Sequence, residues 1–264
     1  MAFLNKTVWI TGASSGIGKA LTLELSKQGA NLIISSRNIK TLEKVKNKCA
    51  YPDKVKTLPL DLNNYSNFNT IVKNTINLFG SIDILINNGG ISQRSLAKDT
   101  SIKVDEQIMN TNYIGTVALS KELLPYFIKS KNGHFVVITS VVGKIGTPLR
   151  SSYAASKHAL HGFFDSLRAE IYDDNIKITL ACPGFVNTNV SINALIGDGS
   201  KQNTLDNATK NGLQPKIFAK RLLKAILKEK HEIVIGGKKE ILAVYVKRFF
   251  PEILAKIIRK MDVV

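Results

Sequence analysis

Short apolar runs rich in Val and Ile alternate along the chain with longer stretches in which apolar residues recur every three to four positions. The first pattern is that of strands buried on both faces, and the second that of amphipathic helices. Strands are predicted near 7–11, 31–36, 55–60, 82–87, 134–140, 176–182 and 232–235. Helices are predicted over 16–28, 39–49, 66–79, a long region within 103–131, 151–173 and 215–229. This alternation builds β-α units, and right-handed crossovers wind them into an α/β fold: a Rossmann-type doubly wound parallel sheet of about seven strands, ordered 3-2-1-4-5-6-7, with helices on both faces. A single domain over 1–264 is expected, its ligand crevice at the carboxyl ends of the strands. The stretch 187–212 is polar, rich in Gly and Asn and aperiodic apart from a short apolar patch, so a mobile loop is expected after the sixth strand.

The last part of the chain, 241–264, has a pattern of its own. An apolar run stops at Lys247 and Arg248, and Pro251 opens a segment with Ile253, Leu254, Ile257, Ile258 and Met261 on one side and Lys256, Arg259 and Lys260 on the other. It is too short to span a bilayer. A basic amphipathic helix can lie on an anionic membrane surface, pack on its own domain or meet a neighbouring subunit.

Composition narrows the picture. With 264 residues, 44% of them hydrophobic, the chain can bury one substantial core. The formal charge of +17 is spread along the sequence, leaning toward the end: after position 200 there are fifteen Lys or Arg against six Asp or Glu, a net +9. No RNA-binding aromatic signature or zinc-finger spacing accompanies it, so no nucleic-acid partner is expected. Cys49 and Cys182 fit no metal or redox spacing, and no metal site is expected. Met1 to Lys6 runs straight into an apolar strand without the three parts of a secretion signal. A cytoplasmic protein is expected, with peripheral membrane contact through the tail as the one departure.

The chemistry sits at the predicted strand ends. Gly12, Ser14, Ser15, Gly16, Ile17 and Gly18 form the turn from the first strand into the first helix, where a dinucleotide pyrophosphate meets exposed backbone N–H groups and the helix dipole. An Asp or Glu at the end of the second strand would bind the ribose 2′-hydroxyl of NAD. Here Ser36 and Arg37 stand there, a hydroxyl and a guanidinium suited to a 2′-phosphate, so NADP (NADPH) is preferred over NAD. Asp61 and Leu62 close the third strand, where a carboxylate can accept from the adenine amino group and an apolar side chain can cover the ring. Asn88, Gly89 and Gly90 close the fourth, with glycines that let the chain pass close to the cofactor. Ser140 ends the fifth strand. Tyr153 and Lys157 follow four residues apart, on one face of a helix, where the ammonium should pull the phenol below its usual range.

Taken together, the T-G-x-x-x-G-x-G loop, Asn87-Asn88-Gly89-Gly90, Asn112, Ser140, Tyr153, Lys157 and Pro183-Gly184 resemble the short-chain dehydrogenase/reductase family over about 7–235. The resemblance implies an NAD(P)-dependent oxidoreductase interconverting a ketone or aldehyde and an alcohol, as a homo-dimer or homo-tetramer. It implies that Tyr153 is the general acid in reduction, that Lys157 tunes it and binds the nicotinamide ribose, and that Ser140 binds the substrate oxygen. Asn112 would support a water-linked proton path, and Pro183, Gly184, Val186 and Thr188 would line the nicotinamide. Gly90 departs from the Ala usual in the family and should loosen packing slightly. The segments from Gly90, Arg150 and Thr188 onward look most similar to the seven-B type of the family. Its animal members carry an N-terminal membrane anchor; none is read here, so only weaker association is expected. A hydrophobic, lipid-like small-molecule substrate would suit the tail. The rival reading is a non-catalytic NADP-binding sensor or interaction protein, which would have no use for a proton-handling tyrosine.

Overall fold

The computed structural model describes residues 1–259; Lys260 and Met261 of the predicted tail lie outside the described residues. Seven strands, β1 (Thr7–Thr11), β2 (Asn31–Ser36), β3 (Val55–Pro59), β4 (Ile84–Asn87), β5 (Gly133–Ile138), β6 (Ile176–Pro183) and β7 (Glu232–Ile235), form one sheet. Its order is β3-β2-β1-β4-β5-β6-β7, and each neighbouring pair runs parallel.

Strand side chains alternate between two separate cores, as the period of two requires. Val8, Ile10, Leu32, Ile34, Ile84, Ile86, Val136 and Ile138 face one core, where they meet helices α1 (Gly16–Ser26), α2 (Ile39–Lys46) and α8 (Pro215–Leu227). Trp9, Ile33, Leu85, Phe135, Val137 and Leu180 face the other, against α3 (Phe68–Ile76), α5 (Gly115–Ser130) and α6 (Ser151–Glu170). The one tryptophan is fully buried and donates its indole N–H to Ser35 Oγ at 2.8 Å, so its polar edge is satisfied inside the sheet.

The long helical region predicted within 103–131 is interrupted. After α4 (Ile102–Met109) the ladder widens to a π turn over Asn110–Ile114 before α5 begins. A single π turn shifts the helical register and re-aims one side chain, here Asn112. Gly115 is obligatory just beyond, because a Cβ there would lie 2.0 Å from Leu62 O.

Two further expectations are refined. The stretch after β6 carries α7 (Asn207–Lys210) and is bonded to the body: Gln93 bridges Leu195, Arg94 N donates to Leu195 O at 2.8 Å, and Leu195 N donates to Ser92 O at 2.8 Å. The tail forms α9 (Lys238–Phe249) and α10 (Pro251–Ile258), and its apolar residues split between two faces instead of sharing one. Leu254 is buried on Val141 and Ile145, with Ile258, Val234, Val244 and Val246 packed around it. Leu242, Tyr245, Phe249, Phe250, Ile253 and Ile257 are exposed. Among the described residues no helix is long and apolar enough to cross a membrane.

Candidate active site

Four strand ends meet around the first loop. Gly12 and Gly16 have left-handed φ of 64° and 52°, the conformation that favours glycine. A Cβ on Gly18 would lie 2.4 Å from Gly12 O, so only glycine lets α1 start this close to the turn. Asn88 braces the loop from β4: its Nδ2 donates to Thr11 O at 2.9 Å and Gly12 O at 3.1 Å, while Thr11 Oγ1 accepts from the amides of Asn88 and Gly89. Leu62 is buried against Gly89. Ser15 caps α1 only by its backbone, with no side-chain bond to the first-turn N–H groups, and Ile17 packs on the core beneath. The open donors of α1 and the glycine cradle fit a dinucleotide pyrophosphate.

Arg37 and Asp61 are exposed and line one recess of about 310 Å³ with Pro59, Leu60, Asn64, Asn67 and Ile71. Ser36 Oγ donates to Asn38 O at 3.4 Å, and Ser36 is not among the residues lining that recess. At the far side of the loop Thr188 touches the place where a Gly16 Cβ would sit, 3.0 Å away. Pro183 pairs with Ile235, Gly184 N donates to Ile235 O at 3.0 Å, and Val186 is buried and bridged to Leu213. The predicted cofactor residues thus stand at or just after the ends of β1, β2, β3, β4 and β6.

Of the predicted catalytic residues, Ser140 follows β5, Asn112 sits in the π turn, and Tyr153 and Lys157 lie on α6. Ser140 is two residues beyond β5, accepts from Val142 N at 3.2 Å, donates to Pro183 O at 3.5 Å and draws the Tyr153 phenol's pKa down. Lys157 is buried, donates from Nζ to Ile138 O at 2.8 Å and stands 5.8 Å from the centre of the Tyr153 ring. Asn112, fully buried, accepts from Ile91 N at 2.8 Å and donates to Ile91 O at 2.9 Å and Ser156 Oγ at 3.0 Å. A Cβ on Gly90 would come within 3.0 Å of Asn112 Oδ1, so the glycine leaves tight contact, not the loosening expected from the missing methyl.

The electrostatics correct one expectation. Burial, the largest influence, pushes the Tyr153 phenol up; Ser140, then Arg94 and Arg150, pull it back, and Lys157 is not among the causes. Lys157 itself is pushed down to about 8 by burial. Its ammonium is held on the Ile138 carbonyl.

A buried charged cluster here was not legible in the sequence. Arg94 donates to Asp206 Oδ2 from Nε at 2.8 Å and Nη2 at 2.7 Å, and Arg150 Nη2 lies 3.7 Å from the same oxygen. Burial and Arg94 push Arg150 down to about 10, with Asp206 opposing. Its members are separated by up to 112 positions, and no local pattern joins them.

His161, Cys182 and Glu232 gather donor atoms within 4.8 Å. Yet His161 turns Nε2 to Thr139 at 3.1 Å and Cys182 at 3.7 Å, and Nδ1 to Glu232 at 3.5 Å. A metal needs one lone pair converging with the others, and Lys144 already holds Glu232 at 2.6 Å. Burial pushes His161 down to about 4 and Cys182 up to about 12, giving a neutral imidazole and a thiol that brace α6 against β6 and β7. A cleft of about 840 Å³ beyond Phe185, lined by Arg221, Lys238 and Glu240, has neither Ser140 nor Tyr153 in its wall.

A dinucleotide-binding α/β sheet with Ser, Tyr and Lys at its carboxyl edge defines a class of oxidoreductases, and the comparisons agree. The family model for short chain dehydrogenase matches residues 6–196, and the chain belongs to the short-chain dehydrogenase/reductase family. It is an NAD(P)-dependent oxidoreductase. Among its relatives is dehydrogenase/reductase SDR family member 7B of Xenopus laevis, 40% identical over 257 residues, covering 95% of this chain and 80% of the relative. A short chain dehydrogenase/reductase from Burkholderia phymatum, solved in complex with NAD, superimposes with a TM-score of 0.84 at 20% identity over 96% of both chains. A variant of ElxO solved with NADPH bound gives a TM-score of 0.67 at 31% identity, covering 70% of this chain and 75% of that one.

Proposed function

We propose that the protein reduces a ketone or aldehyde with NADPH, or runs the reverse oxidation, and draws a hydrophobic substrate from an anionic membrane surface. The observation that carries the reaction is buried Lys157 standing 5.8 Å from the Tyr153 ring, with Ser140 acting on the same phenol. The dinucleotide supplies the hydride. Ser140 holds the substrate oxygen, and Tyr153 delivers a proton to it as negative charge develops there. Lys157 binds the nicotinamide ribose and, with a second partner gained, bears its charge more readily next to the phenol. Asn112, locked by Ile91 and Ser156, holds the route by which the proton is replaced. Turnover of NADPH against a panel of ketones, aldehydes and acyl-chain carbonyls tests the reading; tight NADP binding with no turnover on any of them would favour a sensor.

The choice of NADP rests on Arg37, which faces the Asp61 recess in place of a second-strand carboxylate. Arg37→Ala should weaken NADPH binding roughly ten- to hundredfold, the worth of a charge-assisted contact, and leave NADH unchanged. Adding Ser36→Asp should improve NADH. Equal binding of both cofactors by the wild type would overturn the assignment.

The membrane part rests on the outer face of α9 and α10. Six exposed apolar side chains there are interleaved with Lys247, Arg248, Lys256 and Arg259, against Glu252. A second copy would bring like charges together, whereas anionic headgroups complement them at about 1 kcal/mol per cation near the surface. The same helices pack on Val141 and Ile145, immediately after Ser140, so the face adjoins the site. The full chain should sediment with vesicles of phosphatidylserine and phosphatidylcholine at low salt and not with phosphatidylcholine alone. Phe249→Glu with Ile253→Glu, both exposed, should abolish this and spare turnover of a water-soluble substrate. Absence of vesicle binding, or a wild-type dimer lost in this variant, would reject it.

A further inference from the structure

We infer that Gln93 is the positioning residue for Tyr153, holding the first turn of α6 from a segment some sixty positions away; this rests on the reading of Tyr153 as the proton donor. The need for such a residue is local. Helix α6 starts after Arg150, which has no side-chain cap, and an arginine side chain carries only donors. The leading N–H groups of a helix have no partner within it, and those two and three residues beyond the cap are the usual targets of an acceptor.

Gln93 supplies that acceptor. Its Oε1 accepts from Ser152 N at 2.9 Å and Tyr153 N at 3.3 Å. Both amides can only donate, so the orientation of the Gln93 side chain is fixed by chemistry. Its Nε2 then faces acceptors alone or hydroxyls able to accept: Thr100 Oγ1 at 3.0 Å, Ser151 Oγ and Ser95 Oγ at 3.3 Å, and Ser95 O at 3.5 Å. The residue is fully buried, so with Gln93 in place no water competes for these amides.

The backbone around Gln93 is pinned at both ends. Ile91 is bonded to Asn112, and the bridge from Gln93 to Leu195 is flanked by the bonds of Ser92 and Arg94 to Leu195. Arg94 then locks to Asp206. A displacement of the stretch after β6 therefore reaches Tyr153 through this buried amide, beside the Asp206–Arg150 contact at the start of α6. Gln93 meets Tyr153 at its backbone N–H, so its influence is on where the phenol stands relative to Ser140.

Gln93→Leu keeps the volume and removes the acceptor. A misplacement of the order of 1 Å costs up to about 10²-fold, so kcat should fall at least about tenfold, with KM for NADPH within about twofold. Moving the phenol away from Ser140, which draws its pKa down, should shift the Tyr153 titration, followed by ¹³Cζ chemical shift, to higher pH. Gln93→Glu, which keeps an oxygen facing the two amides, should restore most of kcat. A lowered melting temperature with unchanged kcat and unchanged Tyr153 titration would mean that Gln93 only stabilises the fold, and would overturn the inference. Should Gln93→Leu fail to fold, Gln93→Ser, which admits water to the two amides, takes its place with the same split expected. A wild type inactive on every carbonyl, in which the Tyr153 titration still shifts on mutation, would unseat the redox reading and support the positioning role.

Discussion

Tyr153→Phe is expected to lower turnover by about 10²- to 10⁴-fold, the usual contribution of a positioned general acid, with little change in NADPH affinity. The substitution removes one oxygen from a half-buried ring and leaves the helix and its packing in place. The partner left behind, Ser140 Oγ, keeps its bond from Val142 N and its own contact with Pro183 O at 3.5 Å, so the fold is spared. The pH profile is the sharper test. Burial holds the phenol up and Ser140 draws it down, so alcohol oxidation should rise with pH along a single limb as phenolate forms. That limb should vanish in the Phe variant. Near-normal turnover of Tyr153→Phe on any good substrate would sink the mechanism.

Lys157→Met separates activity from stability. Turnover should fall at least as far as in Tyr153→Phe, and NADPH binding should weaken, because both the charge beside the phenol and the ribose contact are lost. The cofactor-free protein should nevertheless become more stable at pH 7. The amine's folded-state pKa, about 8, lies below its ordinary value of 10.5, so the unfolded chain binds more protons between those values and wild-type stability rises with pH across that window. Below about pH 8 the folded protein carries the full cost of a buried ammonium, at most about 3 kcal/mol for this shift. The loss of the bond to Ile138 O offsets about 1 kcal/mol of it. A gain of a few degrees in Tm at pH 7, shrinking to nothing or reversing above pH 10, is the expected record. A lower Tm for Lys157→Met across the whole range would show that the lysine is a structural asset before it is a chemical one.

The sheet was readable from the chain because each strand is a short, locally complete pattern. Val8, Trp9 and Ile10 carry both cores within three residues, and the Gly12-to-Gly18 turn announces where the first helix must begin. Ser140, Tyr153 and Lys157 were equally visible, since the two on α6 are fixed by helical spacing and the serine by its strand end. Helix ends were less legible: nothing local in 103–131 marks the π turn, which is stabilised by what Asn112 reaches across the fold.

Other features exist only in three dimensions. Gln93 and Arg94 follow β4 as ordinary polar residues, and no periodicity says that one caps a helix 59 positions on and the other pairs with Asp206. The direction in which Tyr153 is pushed depends on how much solvent the fold removes from it, a quantity that spacing from Lys157 does not contain. The tail shows the division most directly. Sequence determined that α10 is amphipathic and basic, but a helical stripe has no knowledge of the groove it meets. Only the packing of Leu254 on Val141 and Ile145 decided which apolar side chains are spent on the core and which, Ile253 and Ile257 among them, face outward. Burial is a property of neighbours brought together by the whole chain, and so a local pattern can prescribe an element's faces without fixing what each face touches.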